Sequence, residues 1–381
     1  MKEKFIRFFK QETVLCIAFV LAAMSMIFVH PDAEYGSYID FRTLAILFCL
    51  MSVMAGLQKA GIFHWVAQEL LGRVKKARQL VWILVLLCFF SSMVVTNDVA
   101  LITFVPFTFI VFGLMDEDVK SRLLIPVVVL QTVAANLGSM LTPIGNPQNL
   151  YLYGKAGLSL GSFILLMLPY AGGSLFIILL WSAVQFRTYD VPIRVSFDKK
   201  ADLSGKGGLL VVYLILFALS LLAVARVIPY GLTFAITAVV LLLMDRSVFA
   251  RVDYGLLLTF VGFFVFIGNM GRFPAFYSFL QKIVSGNELL VGVAASQVIS
   301  NVPAALLLSG FTDDLASLII GVNIGGLGTL IASMASLISY KLMIREENRM
   351  KGAYFRYFTL TNICFLAMLL LFAFIIPSAI Q

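Results

Sequence analysis

Charge is scarce in this sequence. Only 13% of its 381 residues are Asp, Glu, Lys or Arg, and His occurs twice. A soluble domain carries roughly twice that share of charge, so an ordinary water-exposed globule is excluded. His30 ends an apolar run and His64 lies in the amphipathic stretch FHWVAQELLGRV. Neither belongs to a His/Glu metal motif, and interfacial placement suits both better than catalysis. The four Cys (16, 49, 88 and 364) fall inside apolar segments without ligand spacing, which indicates core packing and says nothing of a redox compartment. Trp65, Trp82 and Trp181 are the only Trp, and they fit interfacial anchors or packing positions.

Apolar residues fill the space that charge leaves. They make up 61% of the chain, with a mean hydropathy of +0.99. A bilayer core about 30 Å thick takes roughly 20 apolar residues per helix. That rule gives nine full spans, at about 14–30, 42–58, 121–155, 159–186, 208–228, 230–245, 252–271, 315–343 and 354–377. Two further apolar stretches, 78–114 and 289–311, suit hairpins. The expectation is an all-α polytopic membrane protein with the bilayer as its principal environment. A basic start and an apolar run without a small-residue cleavage site predict a retained first span and not a signal peptide.

The formal net charge of +8 does not point to nucleic acid once its placement is considered. With the N-terminus in the cytoplasm and both hairpins returning to their own side, 5 of the 28 Lys and Arg lie outside and 23 inside. The inner clusters are Lys2 to Lys10, Arg73 to Arg78, Arg187 to Lys206 and Lys341 to Arg356. This is the positive-inside bias that orients membrane proteins, and it leaves the C-terminus outside the cell membrane.

The chain also reads as a repeat. IDFRTLAILFCLMSVMAGLQKAGIF (39–63) aligns without a gap on VDYGLLLTFVGFFVFIGNMGRFPAF (252–276), Asp40 meeting Asp253. VVTNDVALI (94–102) aligns on VISNVPAAL (298–306), placing Thr96-Asn97 on Ser300-Asn301. NLGSMLTPIGNPQNL (136–150) aligns on NIGGLGTLIASMASL (323–337), placing Asn136, Gly138 and Thr142 on Asn323, Gly325 and Thr329. Between Asp40 and Asp253 the chain crosses the bilayer five times, so the second copy is expected to be inverted. Inverted repeats with interrupted helices belong to secondary transporters. The expected units are a first repeat over 1–186 (hairpin 78–114, broken helix 121–155), a cytoplasmic linker and connecting span over 187–229, and an inverted repeat over 230–381 (hairpin 277–311, broken helix 315–343).

Each hairpin has polar residues at its centre: Thr96-Asn97-Asp98 in the first and Ser300-Asn301 in the second. Re-entrant hairpins entering from opposite faces fit, because backbone without helical bonds survives at membrane depth only under cover of protein or water. Pairs of short spans with polar turns are the alternative. In the broken helices, Gly138, Pro143, Gly145 and Pro147 would unwind the chain. Unwinding frees carbonyls that suit a small cation such as Na⁺, and N–H groups that suit an anion. The half-helix starting near Pro147 turns its positive dipole end to the break. On this reading the substrate-binding set is Thr96, Asn97, Asn146, Gln148, Asn149, Ser300, Asn301, Thr329 and Ser333. The ion-coupling set is Asp98, Asn136, Gly138, Ser139, Thr142, Gly145, Asn323, Gly325 and Gly326, with H⁺ or Na⁺ as the coupling ion and no other cofactor. Asp98 is the one acid placed deep in this group, which marks it as functional by default; a helix cap is its structural alternative. Helix–helix glue is the corresponding alternative for the Asn residues.

At TND, at ANLGSMLTPIGNPQNLYLY and at SQVISNVPAALLL the sequence resembles the ion transporter superfamily. The likeness runs over about 40–370 and is strongest to its arsenite-permease-like and citrate-transporter-like branch. Divalent anion/sodium symporters and sodium/proton antiporters are more distant members, and plant silicic acid efflux carriers share the TND and TPIGNPQN pattern. The symporters carry Ser-Asn-Thr at each tip, where it contacts a carboxylate substrate. Here the third residue departs in both copies, to Asp98 and Val302. Asp98 makes the site resemble the metalloid and antiporter branches, where proton coupling is common. The resemblance implies a homodimer and an elevator-like movement of the hairpin-bearing part. Two functions stay open: an ion-coupled carrier of a small anion or oxyacid, and a sodium/proton antiporter without organic substrate. A channel is a remote third, and an intramembrane enzyme would need a nucleophile–base or metal set that the sequence does not offer.

Overall fold

The computed structural model describes residues 12–113, 115–188, 192, 203 and 207–376. The basic cluster Lys2 to Lys10 and most of the linker between Arg187 and Lys206 lie outside the described residues. Among those described, the fold is helical, with one isolated β-bridge between Lys76 and Pro192. The helices of the first half are α1 (Thr13–Ser25), α2 (Tyr35–Tyr38), α3 (Phe41–Ala60), α4 (Ile62–Leu71), α5 (Ala77–Ser92), α6 (Asn97–Phe112), α7 (Glu117–Ser139), α8 (Pro147–Lys155) and α9 (Leu160–Gln185). The second half holds α10 (Gly207–Val224), α11 (Tyr230–Met244), α12 (Tyr254–Gly271), α13 (Pro274–Val284), α14 (Glu288–Ile299), α15 (Asn301–Leu308), α16 (Leu315–Ile324), α17 (Met334–Glu346) and α18 (Lys351–Ile375).

Six helices among these residues are long and apolar enough to cross a membrane: α3, α7, α9, α10, α12, and α18 with the short turn before it. The other three expected spans fall on the shorter α1 and α11 and on the interrupted pair α16 and α17. The protein is therefore a multi-pass membrane protein. The 121–155 segment is likewise interrupted: α7 ends at Ser139 and α8 starts at Pro147. The first expected hairpin forms two arms, α5 and α6, around a tip at 93–96. The second pair of arms is shorter than the expected 277–311. It is α14 and α15, separated at Ser300, while α13 forms an amphipathic helix of its own before them.

Burial separates a centre from a periphery. In the most apolar stretch of α7, 83% of residues are buried, against 28% in α10 and 33% in α18. α7 therefore faces protein, while α10 and α18 present broad apolar faces outward. α5 and α6 pack along α7, and α14 and α15 pack against α16. The halves interlock: α17 packs on α6 and α7, and α15 packs on α8. Lys120 at the start of α7 is ion-paired with Glu347 at the end of α17, 2.5 Å apart.

The aligned segments share local geometry. Asp40 and Asp253 cap α3 and α12, both with φ −79° and with ψ 82° and 83°. Each carboxylate accepts from the backbone N–H three residues on, Thr43 at 3.0 Å and Leu256 at 2.8 Å. Thr96 and Ser300 both occupy left-handed φ (107° and 74°) with extended ψ (150° and 153°). Side chains other than Gly avoid that region at a cost of about 1–3 kcal/mol, and such residues cluster at functional sites. Asn146 and Ser333, the residues entering α8 and α17, match at φ −146° and −144°.

Gly138 lets α5 approach α7. A Cβ there would lie 2.0 Å from the Phe89 carbonyl oxygen, a backbone atom that cannot swing aside. Gly172 on α9 has nothing within 4 Å of the same position. Gly138→Ala should lower stability by about 1–3 kcal/mol, and Gly172→Ala should leave it unchanged. Thermal melting of the detergent-purified variants checks both.

Candidate functional site

The two interruptions, 140–146 and 325–333, each strip a helix of its internal hydrogen bonds and must be held by other groups. In the first, Asn149 Nδ2 points back at three freed carbonyls, Ser139 at 3.4 Å, Met140 at 3.5 Å and Thr142 at 3.3 Å. Asn146 Nδ2 donates to Ser139 Oγ at 2.6 Å, and Thr142 Oγ1 donates to the Met93 carbonyl at 2.5 Å. A Cβ on Gly145 would sit 2.0 Å from the Ser139 carbonyl oxygen, so the turn admits only glycine there. In the second interruption a different residue acts. Gln297 on α14 donates from Nε2 to the Gly325 and Leu327 carbonyls, both at 2.9 Å, and accepts from Thr329 N–H at 2.9 Å. Thr329 Oγ1 then donates to the Gln297 carbonyl at 3.0 Å, repeating the Thr142–Met93 contact.

Both hairpin tips are tied to the interruptions. Asn97 N–H donates to the Gly145 carbonyl at 3.3 Å, and Asn301 N–H donates to the Ala332 carbonyl at 3.0 Å. Side chains then cross between the halves. Asn97 Nδ2 donates to Asn136 Oδ1 at 3.0 Å, and Asn136 Nδ2 donates to Ser333 Oγ at 3.1 Å. Asn323 Nδ2 donates to Asn149 Oδ1 at 2.7 Å. One continuous chain of contacts thus runs from the first tip through α7 to the start of α17, beside the backbone that receives the second tip.

A cavity of about 420 Å³ adjoins this junction. Its polar lining includes Thr96, Asp98, Asn146, Gln58, Arg251 and Asp253, with Pro147, Met334 and Ile338 at the starts of α8 and α17. Asp98 does not cap α6. Thr96 is the cap, its Oγ1 accepting from Val99 N–H at 3.4 Å. The Oδ1 atom of Asp98 is buried without a hydrogen-bond partner, and the side chain is turned to the cavity. This overturns capping as the explanation of Asp98.

The expected residues divide into two groups. Thr96, Asp98 and Asn146 line the large cavity. Ser139, Thr142, Asn149 and Asn323 make internal bonds that brace the interruptions, and Gly138, Gly145 and Gly325 permit close backbone approach. Gly326 faces Asn301, whose Nδ2 would lie 3.1 Å from an added Cβ. Gln148 is buried with Nε2 unpartnered. Ser300, Asn301, Thr329 and Ser333 line the second tip and the second interruption, away from the cavity wall. The sequence reading missed Gln297, Arg251 and Asp253. The first could be noticed as a lone amide in an apolar arm; Asp253 was paired with Asp40 in the repeat but given no site role, and Arg251 stands outside any motif.

A second cavity, about 240 Å³, is lined by Tyr38, Asp40, Arg42, Tyr151, Gly154, Lys155 and Phe264. Arg42 and Gln58, which mark the two cavities, lie sixteen residues apart on α3, about 24 Å along its axis. The large cavity runs along α3 from Leu47 to Gln58, and the small one lies at the start of that helix, at Asp40 and Arg42. α8 runs from one to the other, with Tyr151 between. The Tyr151 ring contacts Phe260 and Phe264 at centroid distances of 6.2 and 5.5 Å, and its hydroxyl meets Ser309 Oγ at 3.0 Å.

A sequence model of the family described as Citrate transporter matches residues 9–317. An uncharacterized transporter of Methanocaldococcus jannaschii is 32% identical over 337 residues, covering 87% of this chain and 90% of that protein. The inner membrane protein YbiR of Escherichia coli K12 is 31% identical over 332 residues, covering 85% and 86%. A silicon efflux transporter of Oryza sativa subsp. japonica is 32% identical over 153 residues, 39% of this chain and 30% of that one. The Asn97–Asn136–Ser333 chain yields an expectation of its own. Asn136→Ala strands the buried Asn97 amide, while Ser333 keeps its bonds to Ser336, and should cost about 1–3 kcal/mol. The half-buried Thr359, bonded within its own helix, should tolerate Ala. Chemical or thermal unfolding in detergent distinguishes the two.

Proposed function

Since the chain belongs to the citrate transporter family, we propose that this membrane transporter is a secondary active carrier of a small anion or oxyacid, coupled to H⁺ or Na⁺. The observation that carries this reading is the junction at which two hairpin tips meet two interrupted helices beside a cavity holding the unpartnered Asp98. Its volume of about 420 Å³ suits a small ligand. The rice relative's name, silicon efflux transporter, favours the oxyacid class, and the family description favours carboxylates.

The substrate is held by neutral donors around the cavity: Thr96, the amide of Asn146, and the amides of Asn97 and Asn301 once the tips move. Such groups bind an anion without a full counter-charge and so release it again. Asp98 takes the coupling ion, either as a proton acceptor or as a carboxylate ligand to Na⁺ beside the freed carbonyls. The matched tip, cap and interruption geometries support an inverted repeat. The large cavity serves one side of the membrane and the small one the other, in alternation. The N-terminus is cytoplasmic, and a homodimer moves the hairpin-bearing part past a fixed scaffold. A second reading, a sodium/proton antiporter without organic substrate, is favoured by Asp98 being the acid at the junction.

Proteoliposomes test both. Uptake of citrate, arsenite and silicate is measured under imposed pH and Na⁺ gradients. Asp98→Asn should abolish ion-driven accumulation while the protein still folds; unchanged coupling contradicts the role. Asn97→Ala and Asn301→Ala should each weaken apparent substrate affinity about tenfold or more. Na⁺/H⁺ exchange without any organic anion or oxyacid would establish the second reading instead.

A further inference from the structure

The smaller cavity differs from the large one in charge. Several of its lining residues are the aligned counterparts of residues lining the large cavity. Tyr38 aligns with Arg251, Asp40 with Asp253, Phe264 with Met51 and Tyr151 with Ile338. The two cavities therefore occupy the same position in the two copies. The large one presents Asp98, Asp253 and one Arg. The small one presents Arg42 and Lys155 with one carboxylate, Asp40. Lys155 aligns with Leu342 and Arg42 with Gly255, so both cations are additions to this copy alone.

Their hydrogen bonds differ in a way that selects Lys155. Arg42 uses Nη2 to reach the carbonyls of Ala223 at 3.4 Å and Val224 at 3.2 Å, at the end of α10. Arg226 close by is likewise engaged with the carbonyls of Gly154 and Gly157. Asp40 is held by Thr43, N–H at 3.0 Å and Oγ1 at 2.5 Å, and makes no ion pair with either lining cation. Lys155 is exposed; its Nζ lies 5.8 Å from the Tyr151 ring centroid and its hydrogen bonds go to two hydroxyls, Ser309 at 3.3 Å and Tyr151 at 3.4 Å, both long for an ammonium. On the orientation proposed above, Arg42, Lys155 and Arg226 are three of the five Lys and Arg outside the membrane. The positive-inside bias would keep them few there, yet Arg42 and Lys155 line one cavity and Arg226 bonds to the carbonyl of its lining residue Gly154.

We propose that Lys155, with the charge of Arg42 behind it, is an anion-capture subsite at the mouth of the smaller cavity. Its ligand carries at least one full negative charge, as a carboxylate or an ionised oxyacid does. The ammonium swings from Tyr151 and Ser309 to the anion, which loosens the Tyr151 contact that separates this cavity from the interrupted helices. The location as an entry or exit step rests on the transport reading above; the binding of an anion at Lys155 does not.

The test is citrate binding to the purified full-length protein, by calorimetry and by thermal stabilisation, with uncharged arsenous acid as the comparison. Lys155→Gln and Lys155→Met should each weaken citrate binding about tenfold. Lys155→Arg should stay within about threefold, and arsenous acid should bind all four proteins alike. Absence of citrate binding by the parent, or equal citrate affinity in the parent and both neutral variants, overturns the subsite. Citrate affinity that falls in Asn97→Ala but not in Lys155→Gln removes the subsite and leaves the central site standing. The opposite pattern keeps the subsite and removes the central site.

Discussion

Hydrocarbon supplies no hydrogen-bond partner, so a helix that stops in mid-membrane must find replacements for its lost bonds inside the protein. Two helices stop in this way here, at 140–146 and at 325–333. Each stop is satisfied by a side-chain amide: Asn149 in the first, Gln297 in the second. Each also accepts the leading N–H of a hairpin tip. The hairpins, the near-complete burial of α7 and the cross-packing of α8 with α15 and α17 with α6 all follow from the need to shelter these two stretches.

That shelter leaves a specific kind of polar surface. The amides and hydroxyls at the junction carry no net charge; the cavity wall beside them adds Asp98, which has an oxygen without a partner, together with Asp253 and Arg251. A site in which neutral groups meet the cargo and few charged groups stand at the wall suits cargo that must be released on the far side. The left-handed backbone at Thr96 and Ser300 places strain at both tips, where a conformational step would use it. Tyr151, wedged against Phe260, Phe264 and Ser309, lines the smaller cavity directly after Leu150, which lines the larger one.

Much of this was legible in the sequence, and the reason is chemical. Pro147 after a Gly- and Asn-rich stretch in an apolar run is costly unless the helix stops there, and α8 does begin at Pro147. Thr96-Asn97 and Ser300-Asn301 stood out because polar pairs at the centre of long apolar segments need a common purpose; both pairs adopt the same backbone. Other features left no periodic or compositional trace. Gln297 is one amide in a helix whose neighbours read as ordinary packing, and its role depends on a segment 28 residues or more downstream. The contact of Tyr151 with Ser309 spans 158 residues of sequence. Asp98 was ambiguous for a different reason: Thr and Asp both cap helices, and only the geometry assigns the cap to Thr96.

Met51 and Phe264 are aligned positions, one in the wall of each cavity, and they allow the most direct test of alternating access. Single cysteines at each, on a background without the four native cysteines, are labelled in sealed vesicles by a membrane-impermeant thiol reagent applied to either side. The account predicts labelling of Met51→Cys from one side and of Phe264→Cys from the other, with any ion or anion that raises one rate lowering the other. Labelling of both from the same side, or rates that rise and fall together, would contradict it.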